Sequence, residues 1–246
     1  MAASASWTVD PVVVGTIPGL ALATFVPGAP AAHKIEVSCV AYVLCSPDRT
    51  IVVDSGPDAD MARAAGFTAH SCAVPALDQA LRARGRGLAD VNTVVHTHLH
   101  YDHMQNYAAF GAAEIVVGEA ELAYAIEKGT ENYYVGIDAF LEATGGRLRT
   151  LRGEVSLAPG VKVVPTRGHT PGHQAVVVGT SVGPVCLAGD EVPMSINVIT
   201  PPANCYDVGA TAAFLALARR RRWLVVPSHD PFIGYLGTIA PEATGA

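Results

Sequence analysis

The sequence predicts an α/β fold of two β-sheets covered by helices. Two observations predict it. Short runs rich in Val and Ile recur along the chain, each closed by Gly, Pro, Asp or Ser, and segments with helical spacing lie between them. A composition with 24 Gly, 17 Pro and only 15% charged residues suits short strands and many turns better than long helices or disorder. At 246 residues and 50% hydrophobic, the chain can bury a large core and is read as one domain over residues 1–246, without repeat or linker.

Residues 11–15 and 20–26 read as strands around the turn Ile17-Pro18-Gly19, and residues 35–45 form a longer β-rich run ending at Ser46-Pro47-Asp48. A short buried strand, residues 50–54, closes at Ser55-Gly56, and residues 75–84 have helical spacing before Gly85 and Gly87. Thr93-Val94-Val95 is a second buried strand that runs directly into a cluster of histidines. Residues 114–117 give another strand. Residues 119–145 read as mainly helical, and the stretch of about 119–150 is expected to be an insertion. Residues 161–165, 175–178 and 185–188 are short β segments, and an Ala-rich helix at 208–220 precedes a strand at 223–226.

Charge and cysteine usage exclude several classes. A net charge of −6 and a pI near 5.8 leave no basic footprint for nucleic acid, and the run Arg219 to Arg222 reads as a solvated helix end. Five cysteines without CxxC spacing indicate neither a disulfide framework nor a zinc knuckle, and fit reduced thiols in a cytoplasmic protein. The apolar stretch 11–32 lacks a preceding Lys or Arg and is broken by Gly15, Pro18 and Gly19, so it is expected to be neither a signal peptide nor a membrane span.

The chemistry is carried by Thr97-His98-Leu99-His100-Tyr101-Asp102-His103, four residues of metal-ligand type within six positions after a buried strand. In an extended segment His98 and His100 point to the same side, and a following turn can bring Asp102 and His103 to a second position, so one loop can serve two metals. Further along stand Gly168-His169-Thr170-Pro171-Gly172-His173, Ala188-Gly189-Asp190 and Pro227-Ser228-His229-Asp230. Each ends a β segment.

These motifs, with Asp54 in Val52-Val53-Asp54-Ser55-Gly56, resemble in order the HxHxDH pattern and partner motifs of the metallo-β-lactamase superfamily, over about residues 12–235. The resemblance implies the αββα sandwich of that superfamily, two mixed β-sheets packed together and flanked by helices. It also implies a first metal held by His98, His100 and His169, a second by Asp102, His103 and His229, and Asp190 bridging them. Imidazole and carboxylate ligands suit two zinc ions, with iron, manganese or cobalt as alternatives. Asp54 would be structural or support a ligand. Of the other histidines, His96 is expected to be a hydrogen-bonded core residue and His173 to orient the His169 loop; His33 and His70 read as loop residues.

Two such metals share a water held as hydroxide near neutral pH, which attacks a carbonyl or phosphoryl centre, while Asp102 passes the proton to the leaving oxygen. Within the superfamily the chain is most similar to the N-acyl homoserine lactonase group, through the wording around residues 97–103, 118–124 and 168–174. This implies a quorum-quenching lactonase acting on a small lactone, as a monomer or homodimer, without nucleic-acid or membrane partners. That group carries a carbonyl-holding tyrosine where Pro193 stands, so Tyr206 or Tyr101 is expected to substitute, with Tyr206 taken as catalytic. Residues 192–199, with Tyr133, Tyr134, Ile137, Phe140 and Leu141, are expected to line an apolar pocket. The alternatives are a thioesterase or other carboxylic ester hydrolase, then an organophosphate hydrolase. Outside the hydrolases stand an iron oxidoreductase resembling persulfide dioxygenases, and a nuclease-branch binding module that the acidic charge disfavours.

Overall fold

The computed structural model describes residues 7–129 and 133–241. Strand β1 (Thr8–Ala21) is continuous through Pro18-Gly19, where two strands and a turn were expected. Its pairing with β2 (Lys34–Cys45) slips between Ile17 and Leu20, and Gly19 at φ 74° absorbs the bulge in a conformation open to glycine. The expected strand over 20–26 therefore stops at Ala21 and gives way to a single 3₁₀ turn, Leu22–Thr24.

Next come β3 (Thr50–Val53), α1 (Ala59–Ala64), β4 (His70–Ser71), α2 (Ala73–Arg82), β5 (Thr93–Val95) and α3 (Tyr101–Met104). Strand β6 (Glu114–Gly118) leads into α4 (Glu119–Lys128), α5 (Ile137–Thr144) and β7 (Leu148–Leu151). The helical stretch expected over 119–145 is thus two helices, and its residues 130–132 lie outside the described residues. The remainder is β8 (Val155–Ala158), β9 (Val161–Pro165), β10 (Gln174–Thr180), β11 (Gly183–Leu187), α6 (Val208–Arg221) and β12 (Leu224–Val226).

The strands form a seven-stranded sheet in the order β4-β1-β2-β3-β5-β6-β7 and a five-stranded sheet in the order β12-β11-β10-β9-β8. Both are mixed: β3, β5, β6 and β7 run parallel in the first, and β11 and β12 in the second. Side-chain alternation explains why β2 is apolar almost throughout. Val40, Tyr42 and Leu44 face the second sheet, packing with Val163, Val176 and Leu187. Cys39, Ala41 and Val43 face outward into a cluster with Leu77 and Leu81 of α2. On the far side Phe214 and Leu215 of α6 cover Val177 and Cys186. Each fully buried Val or Leu contributes roughly 1.5–3 kcal/mol, so both faces of each sheet anchor the loops that leave the strand ends. Among the described residues no helix is long and apolar enough to cross a membrane.

Candidate metal centre

Chain segments leaving the ends of β3, β5, β9, β11 and β12 converge at one edge of the sandwich. After β3, Asp54 adopts φ 60°, a left-handed conformation unusual outside glycine. There its carboxylate accepts from the Thr97 backbone N–H at 2.7 Å and from the Thr97 hydroxyl at 2.9 Å. That clamp fixes the start of the histidine loop. His98 and His100 precede α3, and Asp102 and His103 lie within its single turn.

Two groups of ligand atoms result. His98 Nε2 and His169 Nε2 lie 3.0 and 3.2 Å from His100 Nδ1. His103 Nε2 lies 3.3 Å from His229 Nε2, and Asp102 Oδ2 lies 3.6 and 3.4 Å from those two nitrogens. Between the groups sits Asp190, with Oδ1 3.1 Å from both His103 and His229 Nε2, and Oδ2 3.5 Å from His169 Nε2. Ligand atoms about 2.0–2.1 Å from a tetrahedral zinc stand about 3.3 Å apart, so the spacing in each group fits a cation. All seven residues expected from the sequence as ligands meet here.

Neighbouring groups aim the rings. A carboxylate can only accept, so His103 Nδ1 donates to Asp54 Oδ2 at 2.9 Å. His229 Nδ1 donates to the Ser38 carbonyl at 2.8 Å, and His98 Nδ1 donates to Thr97 Oγ1 at 3.1 Å. In each case Nε2 is left facing the centre, the outer bond that metal-binding histidines require. His169 Nδ1 is buried and has no hydrogen-bond partner among the described residues.

The electrostatics divide the site. Burial and adjacent imidazoles hold His98 and His100 well below the ordinary histidine range, and burial holds His169 at about 4, so these rings are neutral donors. Burial also works against charge on His103 and His229, but Asp190, with Asp102, outweighs it and holds both well above the ordinary range. Asp190 stays well below the usual carboxylate range because His229, His103 and His169 overcome its burial. The carboxylates thus stabilise positive charge where a cation would sit.

His173 joins the other loops. Its Nε2 accepts from the Asp190 backbone N–H at 3.1 Å, which requires the proton on Nδ1 and directs that proton to Thr166 Oγ1 at 2.6 Å. This ties the His169 loop to the Asp190 turn. Gly189 at φ 54° makes the approach feasible, since a Cβ there would stand 2.7 Å from His173 Nε2 and 2.8 Å from Thr97 Cβ.

Sequence reasoning missed three contributors. Glu191, fully buried, accepts from the Gly168 and His169 backbone N–H groups at 2.9 and 3.3 Å and from Thr211 Oγ1 at 2.5 Å. Glu121 accepts from the Leu99 N–H at 3.0 Å, Tyr134 at 3.0 Å and Thr170 at 2.5 Å. Cys39 of β2 is 1% exposed, its Sγ lies within 4.8 Å of ligand atoms of Asp102 and His229, and burial pushes its thiol up to about 11. The only sequence signal for the two acids is their position, Glu121 directly after Gly118-Glu119-Ala120 and Glu191 directly after Asp190, and neither position reveals that the side chain is buried. The hydrogen bonds expected of His96 are not found among the described residues: its ring is buried edge-on to Phe140 at 5.9 Å, and neither nitrogen has a partner there.

Above the ligand groups opens a cavity of about 500 Å³. His100, Asp102, His169, Asp190 and His229 form its floor, and Tyr133, Tyr134 and Tyr206 lie in its wall. Tyr206 is 63% exposed and packs against Tyr124 at 6.1 Å. Residues 192–199 with Ile137, Phe140 and Leu141, also expected in the wall, are not there. Val192 packs under α6, Ile137 and Phe140 belong to the outer core, and Asn197 bonds the Phe25 carbonyl. Their place is taken by Ile17, Pro18 and Leu20 of the β1 bulge, Phe25, and Phe67 stacked on Tyr101 at 4.9 Å. Pro193 is buried, and its carbonyl accepts from the His229 backbone N–H at 2.8 Å.

A family model described as the metallo-beta-lactamase superfamily matches residues 35–229. The chain is 33% identical over 102 residues to an N-acyl homoserine lactonase of a Bacillus species, covering 41% of this chain and 38% of that protein. It is 32% identical over 172 residues to metallo-beta-lactamase domain-containing protein 1 of Xenopus laevis, covering 67% and 65%. The matches thus span about two fifths to two thirds of these relatives' lengths. Among solved structures, an N-acyl homoserine lactone hydrolase with N-hexanoyl-L-homoserine bound at its catalytic metal centre superposes with a TM-score of 0.76 at 18% identity, covering 92% of this chain and 94% of that one. At that identity the likeness is one of fold.

Proposed function

The chain belongs to the metallo-beta-lactamase superfamily, and on that premise we propose that it is a two-metal hydrolase that opens the ring of an N-acyl homoserine lactone or a related lactone. One observation carries the reading: two groups of ligand atoms, joined by Asp190, form the floor of an apolar, aromatic cavity. His98, His100 and His169 would hold one divalent ion, Asp102, His103 and His229 the other, and Asp190 both. When bound, two such ions supply Lewis acidity toward a carbonyl oxygen and acidify a shared water to a pKa of about 7.

The chain's own groups supply the rest. Asp102, 8% exposed at the cavity floor, would take the proton from the attacking water and return it to the alkoxide released on ring opening. Pro193 has no donor, so a side-chain hydrogen bond to the developing oxyanion must come from another lining residue; we assign it to Tyr206, with Tyr101 as the alternative. The aromatic wall excludes water and receives an apolar acyl portion, and about 500 Å³ lies within the usual range for small-ligand sites. The relatives named as N-acyl homoserine lactonases support this substrate class.

The test is chromatographic assay of zinc-loaded protein against N-hexanoyl homoserine lactone, an acyl thioester and a phosphotriester. Ring opening by the loaded protein, abolished by a chelator, is expected. Turnover of the thioester or phosphotriester without the lactone would replace the substrate and keep the hydrolase.

A further inference from the structure

We propose that Cys39 is a thiolate ligand of the second cation, so that the centre is held by imidazole, carboxylate and sulfur together. The inference rests on the two-metal reading above. Strand β2 carries Cys39 beside the centre, and its Sγ, an Asp102 carboxylate oxygen and a His229 nitrogen all lie within 4.8 Å of one another. The three residues reach this point from a strand, a helical turn and the loop after β12, and all are buried. The neighbouring residue supports the geometry: the Ser38 carbonyl takes the His229 Nδ1 proton at 2.8 Å, so β2 aims the imidazole and presents a sulfur to the same place.

The other sulfurs are accounted for differently. Cys205, at the cavity wall, bonds the Pro202 carbonyl at 3.1 Å and Thr211 Oγ1 at 3.4 Å. Cys45 and Cys186 are buried, and Cys72 is exposed. The donor set read from the sequence motifs contained no thiolate because those motifs lie after β5, whereas Cys39 comes from a strand far upstream.

Ligation breaks the S–H bond: the sulfur keeps the electron pair and donates it to the cation, and the proton is released to solvent. A soft sulfur donor shifts selectivity toward zinc, cadmium or cobalt and away from manganese or magnesium, which prefer oxygen.

The test begins with wild-type protein, which removes any question of a variant's folding. X-ray absorption of the zinc-loaded chain should show a sulfur scatterer at about 2.3 Å. Cobalt-loaded protein should show a thiolate-to-cobalt charge-transfer band that persists in Cys72→Ser and vanishes in Cys39→Ser. The affinity of one of the two ions should fall by at least about 10–100-fold in Cys39→Ser, the range seen even for outer-sphere partners. Two ions per chain with no sulfur signal would overturn the Cys39 assignment and leave the two-metal centre intact. A band that survives Cys39→Ser would assign the sulfur elsewhere and overturn it equally. Fewer than two ions per chain with no sulfur signal would overturn the two-metal reading and this inference with it.

Discussion

Asp54 touches no substrate, yet replacing it with Asn should weaken metal binding by a predictable amount. Asp54 Oδ1 receives the Thr97 backbone N–H, and Oδ2 receives the Thr97 hydroxyl and His103 Nδ1. The backbone N–H can only donate, so Asn must place its carbonyl oxygen there and its NH₂ where Oδ2 stood. That NH₂ faces His103 Nδ1 and drives the imidazole proton to Nε2, the atom aimed at the centre. For His103 to bind a metal, the proton must return to Nδ1, where it meets an N–H instead of an acceptor. Leaving a buried donor unpaired costs about 1–3 kcal/mol, which corresponds to roughly 5–150-fold in affinity. The assay is competition for zinc against a chromophoric chelator, with thermal melting of the metal-free protein reporting folding separately. Unchanged zinc affinity in a folded Asp54→Asn protein would refute the argument that this carboxylate sets the His103 tautomer.

Asp102→Asn keeps an oxygen at the site but removes the proton carrier, so turnover should fall about 10²–10⁴-fold, further than metal content; equal losses in kinetics and metal analysis would make Asp102 a ligand alone. Tyr206→Phe should slow lactone opening by roughly 10–10³-fold with bound metal unchanged, and an unaltered rate would remove Tyr206 from the mechanism. Gly189→Ala, which brings a Cβ within 2.8 Å of His173 and Thr97 at a left-handed φ, should destabilise the protein by about 1–3 kcal/mol in denaturant unfolding and lower its zinc content.

The residues proposed as ligands stand out in the sequence because metal binding demands particular side chains, and the fold brings them together at strand ends. Thr97 to His103 follow β5 directly, Asp190 follows β11 and His229 follows β12, so local spacing was enough to single them out. Glu121 and Glu191 were not legible, since a buried acid that accepts backbone N–H groups from another loop has the same local sequence as an exposed one. Cys39 was hidden for a related reason: strand alternation says it faces away from the second sheet, and only the tertiary fold shows what it faces. Of the apolar wall expected from residues 192–199 and from Tyr133, Tyr134, Ile137, Phe140 and Leu141, only the two tyrosines line the cavity; Val192 joins the core under α6, Ile137 and Phe140 the core behind the first sheet, and Ile196 and Ile199 are exposed. The continuation of β1 through Pro18-Gly19 is likewise set by sheet pairing with β2, which outweighs local turn propensity.

The bulge in β1 separates two duties that a single site must perform. The groups expected to carry out the reaction stand on loops cross-braced by Asp54, Glu121, His173 and Glu191, whereas Ile17, Pro18 and Leu20 reach the cavity from a strand that contributes no ligand. Side-chain changes at Ile17, Pro18 and Leu20 alter the cavity wall without replacing any residue proposed as a ligand. If the proposed reaction holds, substrate range can be engineered at these three positions while the residues proposed for the chemistry are kept.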